Sequence, residues 1–310
     1  MKAAQMNDYG DASVITVNET TKPAVGKGQV LIEVHAAGLN PWDTKVHEGA
    51  VKDFMPLELP ATAGGDLAGV VAAVGEGVTT FAVGDKVYGG AGLPGGSGAF
   101  ADFAMATADH IAKAPASLSF TDAAALPLVG ASAVQALTEH LHLQSGQKIL
   151  IHGGSGGIGS IAVQIAKHLG AYVAATAPTE ALELAKELGA DEVIDYKTQD
   201  FAKIIRDFDA VFDTAGGEVF EKSLQVVKKG GVMASMTGKI DEAIAKEHGI
   251  TAITMSTHAT TKRLDHLTQL VEEGVVTVRV GKIFPLDQVQ EAFQVRENGT
   301  VTGKIVLKIK

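Results

Sequence analysis

The sequence predicts an α/β protein with two domains, one of them a doubly wound parallel six-stranded sheet and the other β-rich. Three observations support this. The chain has 310 residues, enough for two domains that each bury a core. Both chain ends carry short strand-like runs bounded by glycines. Residues 121–257 instead alternate strand-like and helix-like runs, which is typical of a parallel sheet covered on both faces.

The first part of the chain is predicted to consist of short strands. Branched apolar runs indicate strands over residues 29–34 and 67–74, and a turn at residue 84 leads into a third strand. A short helix is expected after Pro41. Residues 89–98 contain many glycines and are expected to form a surface loop.

The central part has the periodicity of repeated strand–helix units. Strands are predicted over residues 149–152, 172–176, 192–195, 210–213, 231–236 and 250–256. Helices are predicted over residues 157–169, 179–188, 200–206 and 217–227. The tail is predicted to contain a helix over 261–273, strands near 276–278, a helix over 286–297 and a last strand over 304–309. Both chain ends would then form the β-rich domain, with the α/β domain inserted between them.

Composition excludes several classes of function. The formal net charge is −10 and no Lys/Arg-rich run offsets it, so we expect no nucleic acid and no membrane as partner. No run of about 18 apolar residues occurs, and the N-terminus shows no signal-peptide core, so a cytoplasmic location is expected. The chain has no cysteine, which excludes disulfides, thiolate metal ligands and cysteine nucleophiles.

A glycine-rich motif predicts a dinucleotide site. Gly154, Gly156 and Gly159 form G-x-G-x-x-G, with Ser155, Gly157 and Ile158 between them. The motif directly follows an apolar strand and opens an amphipathic helix, as in a Rossmann domain. Glycines would let the backbone approach a pyrophosphate, and the helix N-terminus would bind it. The alternative is a flexible turn that binds nothing.

The end of the second strand favours NADPH over NADH. A carboxylate usually stands there to hold the ribose 2′-hydroxyl of NAD, but this chain has Thr176 followed by Ala177 and Pro178. A 2′-phosphate is therefore expected to meet no negative charge. Tyr196 and Lys197, after the third strand, are the candidate phosphate contacts, and an ordinary solvated turn is the alternative.

A second cofactor contact is expected after the fourth strand. The turn that begins with Asp213, Thr214 and Ala215 follows that strand directly. The carboxyl ends of parallel strands meet at one edge of a sheet, so the backbone of this turn should face the cofactor crevice.

Six motifs cover nearly the whole chain in order, at residues 38–43, 65–71, 84–87, 146–167, 213–217 and 303–307. Together they resemble those of the zinc-independent quinone oxidoreductases, the zeta-crystallin-like branch of the medium-chain dehydrogenase/reductase superfamily. The resemblance implies a GroES-like catalytic domain over residues 1–120 and 258–310, and a Rossmann NADP-binding domain over residues 121–257.

The resemblance also implies that no zinc site forms. In zinc-dependent relatives a cysteine, a histidine–glutamate pair and a further cysteine or acid hold the metal. The first position falls near residues 41–43, and the histidine position is Gly65. Without these ligands a tetrahedral site lacks its donors, so no residue is predicted to bind metal.

The chemistry left by this reasoning is hydride donation to an acceptor that needs no Lewis acid. The resemblance implies that Asn40 and Asp43 lie near the nicotinamide and the acceptor, and that Ser132 supplies a hydroxyl to the cofactor. The Asn40 amide could donate a hydrogen bond to a carbonyl oxygen as charge develops there. A helix-capping turn is the alternative role of Asn40, and the two roles are compatible. Lys45 stands where many relatives carry a tyrosine, which leaves the source of the proton open.

We therefore predict an NADPH-dependent, zinc-independent oxidoreductase that reduces quinones or α,β-unsaturated carbonyls, with a small-molecule substrate. Two alternatives stay open. One is enoyl-thioester reduction, for which no basic carrier-binding patch is evident. The other is a non-enzymatic NADPH-binding sensor or structural protein. The resemblance also implies a homodimer, which the predicted strand over residues 250–256 could form by pairing at a sheet edge.

Overall fold

The computed structural model describes residues 1–91, 97–237, 242–299 and 301–310, so residues 92–96 of the predicted glycine-rich loop lie outside it. The described strands are β1 Lys2–Met6, β2 Ile15–Glu19, β3 Gln29–Leu39, β4 Ala61–Thr62, β5 Asp66–Val74, β6 Lys86–Gly90, β7 Phe103–Thr107, β8 Ile111–Lys113, β9 Lys148–His152, β10 Tyr172–Ala177, β11 Glu192–Asp195, β12 Phe208–Asp213, β13 Val227–Ser235, β14 Thr251–Thr254, β15 Val280–Pro285 and β16 Lys304–Lys308. The described helices are α1 Pro41–His47, α2 Phe120–Ala124, α3 Pro127–Val134, α4 Gly157–His168, α5 Leu182–Glu187, α6 Phe201–Ile204, α7 Val219–Ser223, α8 Glu242–Glu247, α9 Thr261–Glu272 and α10 Val289–Glu297.

The chain divides into two compact units. The first contains Met1–Leu128, Ala259–Glu272 and Val278–Lys310, and the second contains Val129–His258 and Glu273–Thr277. Both chain ends lie in the first unit. No helix in the described part of the chain combines the length and apolar character needed to cross a bilayer.

The first unit is β-rich. Within its described residues, one sheet has the order β2-β1-β4, and the other has the order β15-β16-β3-β5-β6-β8 with β7 also paired to β3. The long strand β3 lies between β16 and β5: Leu39 is opposite Ile305, and Gly38 is opposite Asp66. This register brings the end of β3 next to the first residues of β5 and β16, where the polar cluster described below is found.

The second unit contains the predicted parallel sheet. Its described strands have the order β11-β10-β9-β12-β13-β14, and all five strand pairs are parallel. Numbered from β9, this is the 3-2-1-4-5-6 order of the Rossmann fold, in which ligands bind at the carboxyl ends where the strand order reverses. The reversal lies between β9 and β12, directly beside the glycine-rich loop. The predicted fold class is confirmed.

Several predicted elements differ from the structure. Residues 276–278 form no strand, since β15 begins at Val280. The helix predicted over 217–227 covers only Val219–Ser223. It begins late because Gly216 and Gly217 have φ values of +76° and +71°, which no right-handed helix accommodates, and β13 already begins at Val227. The sequence reasoning also missed α3 and its π-helical continuation Gln135–His140. Most of α3 is buried, so it lacks the apolar–polar alternation that reveals a surface helix.

Candidate functional site

The glycine-rich loop connects β9 to α4 through two positions that need glycine. Gly153 has a φ of +72°, the left-handed region that side chains disfavour. At Gly159, a Cβ atom would lie 2.1 Å from the carbonyl oxygen of Gly153. The first turn of α4 therefore lies directly against the loop, at a distance that only a residue without a side chain permits.

The N-terminus of α4 is suited to an anion. Gly156 is the N-cap residue, and no side chain caps the helix. The backbone N–H groups of Gly157, Ile158 and Gly159 in the first turn are therefore left for an external acceptor. The helix has 12 residues, so its dipole adds positive potential at this end.

A cavity of about 850 Å³ opens at this end of the sheet in the second unit. Ligand pockets commonly measure about 300–1,000 Å³. Five of the predicted cofactor residues line it: Ser155, Gly156, Thr176, Tyr196 and Ala215. The other lining residues are His152, Gly153, Pro178, Lys197, Thr198, Gln199, Asp200, Phe201, Glu218, Val219 and Lys222.

The remaining predicted cofactor residues are not among the residues that line the cavity. Gly154 packs so closely that a Cβ atom there would lie 2.6 Å from the Cβ of Ala175. Asp213 accepts hydrogen bonds from the N–H groups of Ala215 and Gly216, both at 2.9 Å, which holds the turn after β12.

Two predicted hydroxyl groups are likewise engaged inside the protein. The Thr214 hydroxyl donates to the carbonyl oxygen of His152 at 2.6 Å. Ser132 is buried, and its hydroxyl lies 2.6 Å from that of Thr257. Gly157, Ile158 and Gly159 belong to α4 and offer backbone N–H groups only.

His152, at the end of β9, is a buried residue of the cavity that the sequence analysis did not single out. Its Nε2 lies 2.9 Å from the Ser223 hydroxyl, which itself donates to the carbonyl oxygen of Val219 at 2.6 Å. The proton between them must therefore come from Nε2, so Nδ1 accepts from the Thr176 hydroxyl at 3.2 Å. The Thr176 oxygen in turn accepts the Gly153 N–H at 3.1 Å.

This chain of hydrogen bonds requires neutral His152. Burial lowers its pKa to about 4, against the opposing charge of Asp213. The neutral imidazole thus links the glycine-rich loop, β10 and α7 beneath the cavity.

The rim of the cavity beside β10 carries charges that bear on the choice of cofactor. Sequence reasoning found no negative charge for a 2′-phosphate to meet, yet two carboxylates lie beside Lys197. The Nζ of Lys197 donates to both carboxylate oxygens of Glu180, at 2.9 and 2.7 Å. The Lys197 backbone N–H donates to Asp195 at 3.0 Å. The sequence rule concerns only the end of the second strand, whereas these acids come from the next turn and the neighbouring strand.

The predicted catalytic residues lie in a buried polar cluster of the first unit. Asn40 is the N-cap residue of α1, and Asp43 accepts its backbone N–H at 2.7 Å, so the capping interpretation is confirmed. The Asn40 amide also donates to Asp66 at 2.8 Å. Lys304 donates to the side-chain oxygen of Asn40 and to the carbonyl oxygen of Leu39. We call Asn40, Asp43, Asp66 and Lys304 the buried cluster.

The charges of the buried cluster do not balance if every group is ionised. It contains two carboxylates and one ammonium group, all buried. Burial raises the pKa of Asp43 to about 7, and the nearby Asp66 charge raises it further against two backbone hydrogen bonds. Burial likewise raises the pKa of Asp66 and lowers that of Lys304. Asp43 can therefore hold a proton near neutral pH.

Asp66 and Lys304 were missed as site residues, although the sequence carries a signal for them. Each is a charged residue that opens a strand and is followed by at least three apolar residues, and the two charges are opposite. A buried strand end of this kind needs a partner of opposite charge, which the other strand supplies.

A zinc site does not fit the residues present. The described residues contain no group of three or more His, Cys, Asp or Glu side chains placed to hold a metal ion. Asp43 and Asp66 are engaged with Asn40 and the backbone instead, and the chain has no cysteine to join them.

Comparison with known families supports this architecture. The family model described as alcohol dehydrogenase GroES-like domain matches residues 26–116. A second model, described as zinc-binding dehydrogenase, matches residues 188–307.

Similar curated proteins are reductases. The chain is 37% identical to the 2-methylene-furan-3-one reductase of Solanum lycopersicum, over 99% of this chain and 79% of the relative. It is 34% identical to the chloroplast envelope quinone oxidoreductase homolog of Arabidopsis thaliana, over 99% and 98% of the two chains. It is also 34% identical to the chloroplastic NADPH-dependent alkenal/one oxidoreductase of the same plant, over 99% and 79%.

Solved structures agree with these relatives. The quinone oxidoreductase from Coxiella burnetii superposes with a TM-score of 0.91 at 34% identity, covering 100% of this chain and 99% of that one. The Escherichia coli quinone oxidoreductase complexed with NADPH gives a TM-score of 0.89 at 27% identity, with 100% of both chains covered. The chain therefore belongs to the quinone oxidoreductases of the medium-chain dehydrogenase/reductase superfamily, and it is an oxidoreductase.

Proposed function

We propose that this protein reduces quinones or α,β-unsaturated carbonyls with NADPH and without zinc. The observation that carries the proposal is the uncapped N-terminus of α4, which opens on a cavity at the strand-order reversal of a Rossmann sheet. Relatives named for quinones, an alkenal/one and a furanone support the acceptor class, and a relative named as NADPH-dependent supports the cofactor.

We assign the nucleotide to the cavity of the second unit. The backbone N–H groups at the start of α4 would bind the pyrophosphate, and Ser155 and Gly156 would lie beside it. Thr176, Tyr196 and Lys197 would contact the adenosine end, and Ala215 would lie on the opposite wall. Bound NADPH supplies the hydride, which is chemistry that needs no metal ion when the acceptor is conjugated.

We propose Asn40 and Asp43 as the catalytic residues. One N–H of the Asn40 amide is used by Asp66, which leaves the second for an acceptor oxygen that gains negative charge. Asp43 lies one turn away and holds a proton near neutral pH, and reduction of a conjugated carbonyl consumes one proton together with the hydride. Ser132 stays the proposed hydroxyl contact of the cofactor, and its hydroxyl lies 2.6 Å from that of Thr257.

Substitution of Gly156 tests the proposal. The β-branched side chain of Gly156→Val would fill the cavity at the helix N-terminus, where even a Cβ atom lies 3.2 Å from the Gly153 oxygen. Oxidation of NADPH with 1,4-benzoquinone and with an enone should fall at least about 100-fold, while Gly156→Ala should have an intermediate effect. A melting curve for each variant separates lost binding from lost fold.

Three outcomes would contradict the proposal. Full activity of Gly156→Val would show that the nucleotide does not bind at this site. Alcohol dehydrogenase activity that a chelator abolishes would overturn the zinc-free chemistry. Tight NADPH binding with no turnover of any quinone or enone would instead indicate a nucleotide-binding sensor.

The assembly and the location also remain proposals. Among the described strands, β14 pairs with β13 alone and so lies at an edge of its sheet, which could pair with its mate in a homodimer. Sedimentation of a monomer at micromolar concentration would contradict this. The cytoplasmic location stays a prediction, and two relatives above are named as chloroplast proteins.

A further inference from the structure

We propose that Glu180 is a specificity-determining residue of the nucleotide site: it holds the ammonium group of Lys197 and so reduces the preference for NADPH over NADH. This inference rests on the proposed function, because it concerns which dinucleotide the cavity selects.

Glu180 and Lys197 form an ion pair at the rim of the cavity, in which both carboxylate oxygens contact one ammonium group. Both oxygens of Glu180 accept from the Nζ of Lys197, at 2.9 and 2.7 Å. The two side chains are 63% and 47% exposed, so water can reach them and they can exchange partners. Lys197 lines the cavity, whereas Glu180 lies outside its lining. A ligand inside the cavity can therefore contact the lysine directly.

The pair lies where the fold distinguishes the two cofactors. In Rossmann folds the 2′-position of the adenosine ribose is read at the end of the second strand, which here is β10. Asp195, the last residue of β11, is opposite Ala177, the last residue of β10. Lys197 follows two residues later and lines the cavity, as do Pro178 and Tyr196.

A second carboxylate keeps the local charge negative. Asp195 accepts from the Thr179 hydroxyl at 2.6 Å and from the Lys197 backbone N–H at 3.0 Å. The hydrogen bond from Thr179 has the largest effect on the pKa of Asp195, and both hydrogen bonds lower it. Asp195 therefore stays ionised at neutral pH. Two carboxylates and one ammonium group thus lie together at the rim, which leaves a net negative charge there.

Among the described lining residues, the cavity offers no other cation without a carboxylate within 4 Å. Lys222 is the other lysine in the described lining, and it lies on α7 with Glu218 at 3.9 Å. A 2′-phosphate must therefore compete with Glu180 for Lys197, and it also meets the repulsion of both carboxylates. NADH has no 2′-phosphate, so neither the competition nor the repulsion weakens its binding.

Neutralising Glu180 tests the inference directly. In Glu180→Gln we expect the dissociation constant of NADPH to fall about three- to tenfold, while that of NADH changes less than about twofold. The matched control is Glu183→Gln on α5, which makes the same charge change but pairs with Lys186 at 2.8 Å. It should leave both constants within about twofold. Fluorescence titration of each nucleotide measures them.

The same Glu180→Gln substitution in a Lys197→Gln variant shows whether the change in NADPH binding depends on Lys197. In Lys197→Gln, NADPH should bind more weakly. Adding Glu180→Gln to that variant should give a smaller gain than in the wild type, because only the repulsion is relieved and no ammonium group is left to release. A gain of equal size in both backgrounds would overturn the inference, as would an equal change for NADPH and NADH. Binding of neither nucleotide to the unaltered protein would overturn the proposed function and this inference together, whereas unchanged NADPH binding in Glu180→Gln would overturn the inference alone.

Discussion

A Cβ atom on Gly159 would lie 2.1 Å from the carbonyl oxygen of Gly153, so the start of α4 and the turn after β9 are in direct backbone contact. Gly159→Ala must therefore move the helix away from the loop, because no flexible side chain can yield. We expect destabilisation by about 1–3 kcal/mol and NADPH binding weakened at least about tenfold.

The matched control is Gly90→Ala, where the nearest atom to an added Cβ is 4.0 Å away. Chemical denaturation and nucleotide titration of both variants check the prediction. Wild-type NADPH affinity in Gly159→Ala would contradict the close contact between loop and helix.

Removal of Lys304 should destabilise the fold, because the buried carboxylates lose their counter-charge. Lys304→Met leaves Asp43 and Asp66 without the only ammonium group of the buried cluster, and breaking a buried ionic group in this way typically costs about 3–5 kcal/mol. The loss should be larger at pH 8 than at pH 5, since protonated carboxyls need no counter-charge. Unfolding free energies of Lys304→Met and of the exposed control Lys308→Met on the same strand measure this. An equal loss at both pH values would contradict it.

Asp43 should make the protein less stable as the pH rises. Its pKa is raised to about 7 in the fold from an ordinary value of 3.8, so between these values the folded state keeps a proton that the unfolded chain loses. The free energy of unfolding should fall across this range, by as much as about 4 kcal/mol from this residue. Asp43→Asn cannot titrate, so its stability relative to wild type should rise from pH 4 to pH 7. The exposed control Asp53→Asn should follow the wild type.

His152 should act in the opposite direction. Its pKa is lowered to about 4 in the fold from 6.5, so between these values the unfolded chain binds a proton that the folded state excludes. Stability should therefore rise with pH from about 4 to 6.5, by as much as about 3 kcal/mol, and be lost on acidification. His152→Gln removes this dependence, whereas the exposed control His168→Gln should keep it. Identical pH profiles of wild type and His152→Gln would contradict the neutral, hydrogen-bonded imidazole.

Local patterns sufficed to predict most of the second unit. The strands from β9 to β14 alternate with helices, and each strand is an apolar run bounded by turn residues, so their periods could be identified in the sequence. The helix α3 escaped because burial on most sides removes the period on which such predictions depend. The shortened helix α7 escaped because the left-handed conformation of Gly216 and Gly217 is visible only in the backbone angles.

The candidate site divides in the same way. The glycine motif, Thr176, Tyr196 and Ala215 were predicted because the fold places them by sequence spacing. His152 was not predicted, since its role depends on a hydrogen bond to Ser223, 71 residues away. The pairing of Glu180 with Lys197, 17 residues away, was not predicted either.

By itself the sequence determined the α/β architecture, the glycine-rich loop and the absence of any thiolate chemistry, because each depends on residue type and local spacing. Only the tertiary structure decided that Asn40, Asp43, Asp66 and Lys304 share one buried cluster, and that Glu180 occupies Lys197 at the cavity rim. The physical reason is that charge interactions depend on distance in space. Residues 264 positions apart, such as Asn40 and Lys304, meet only once the sheet has formed.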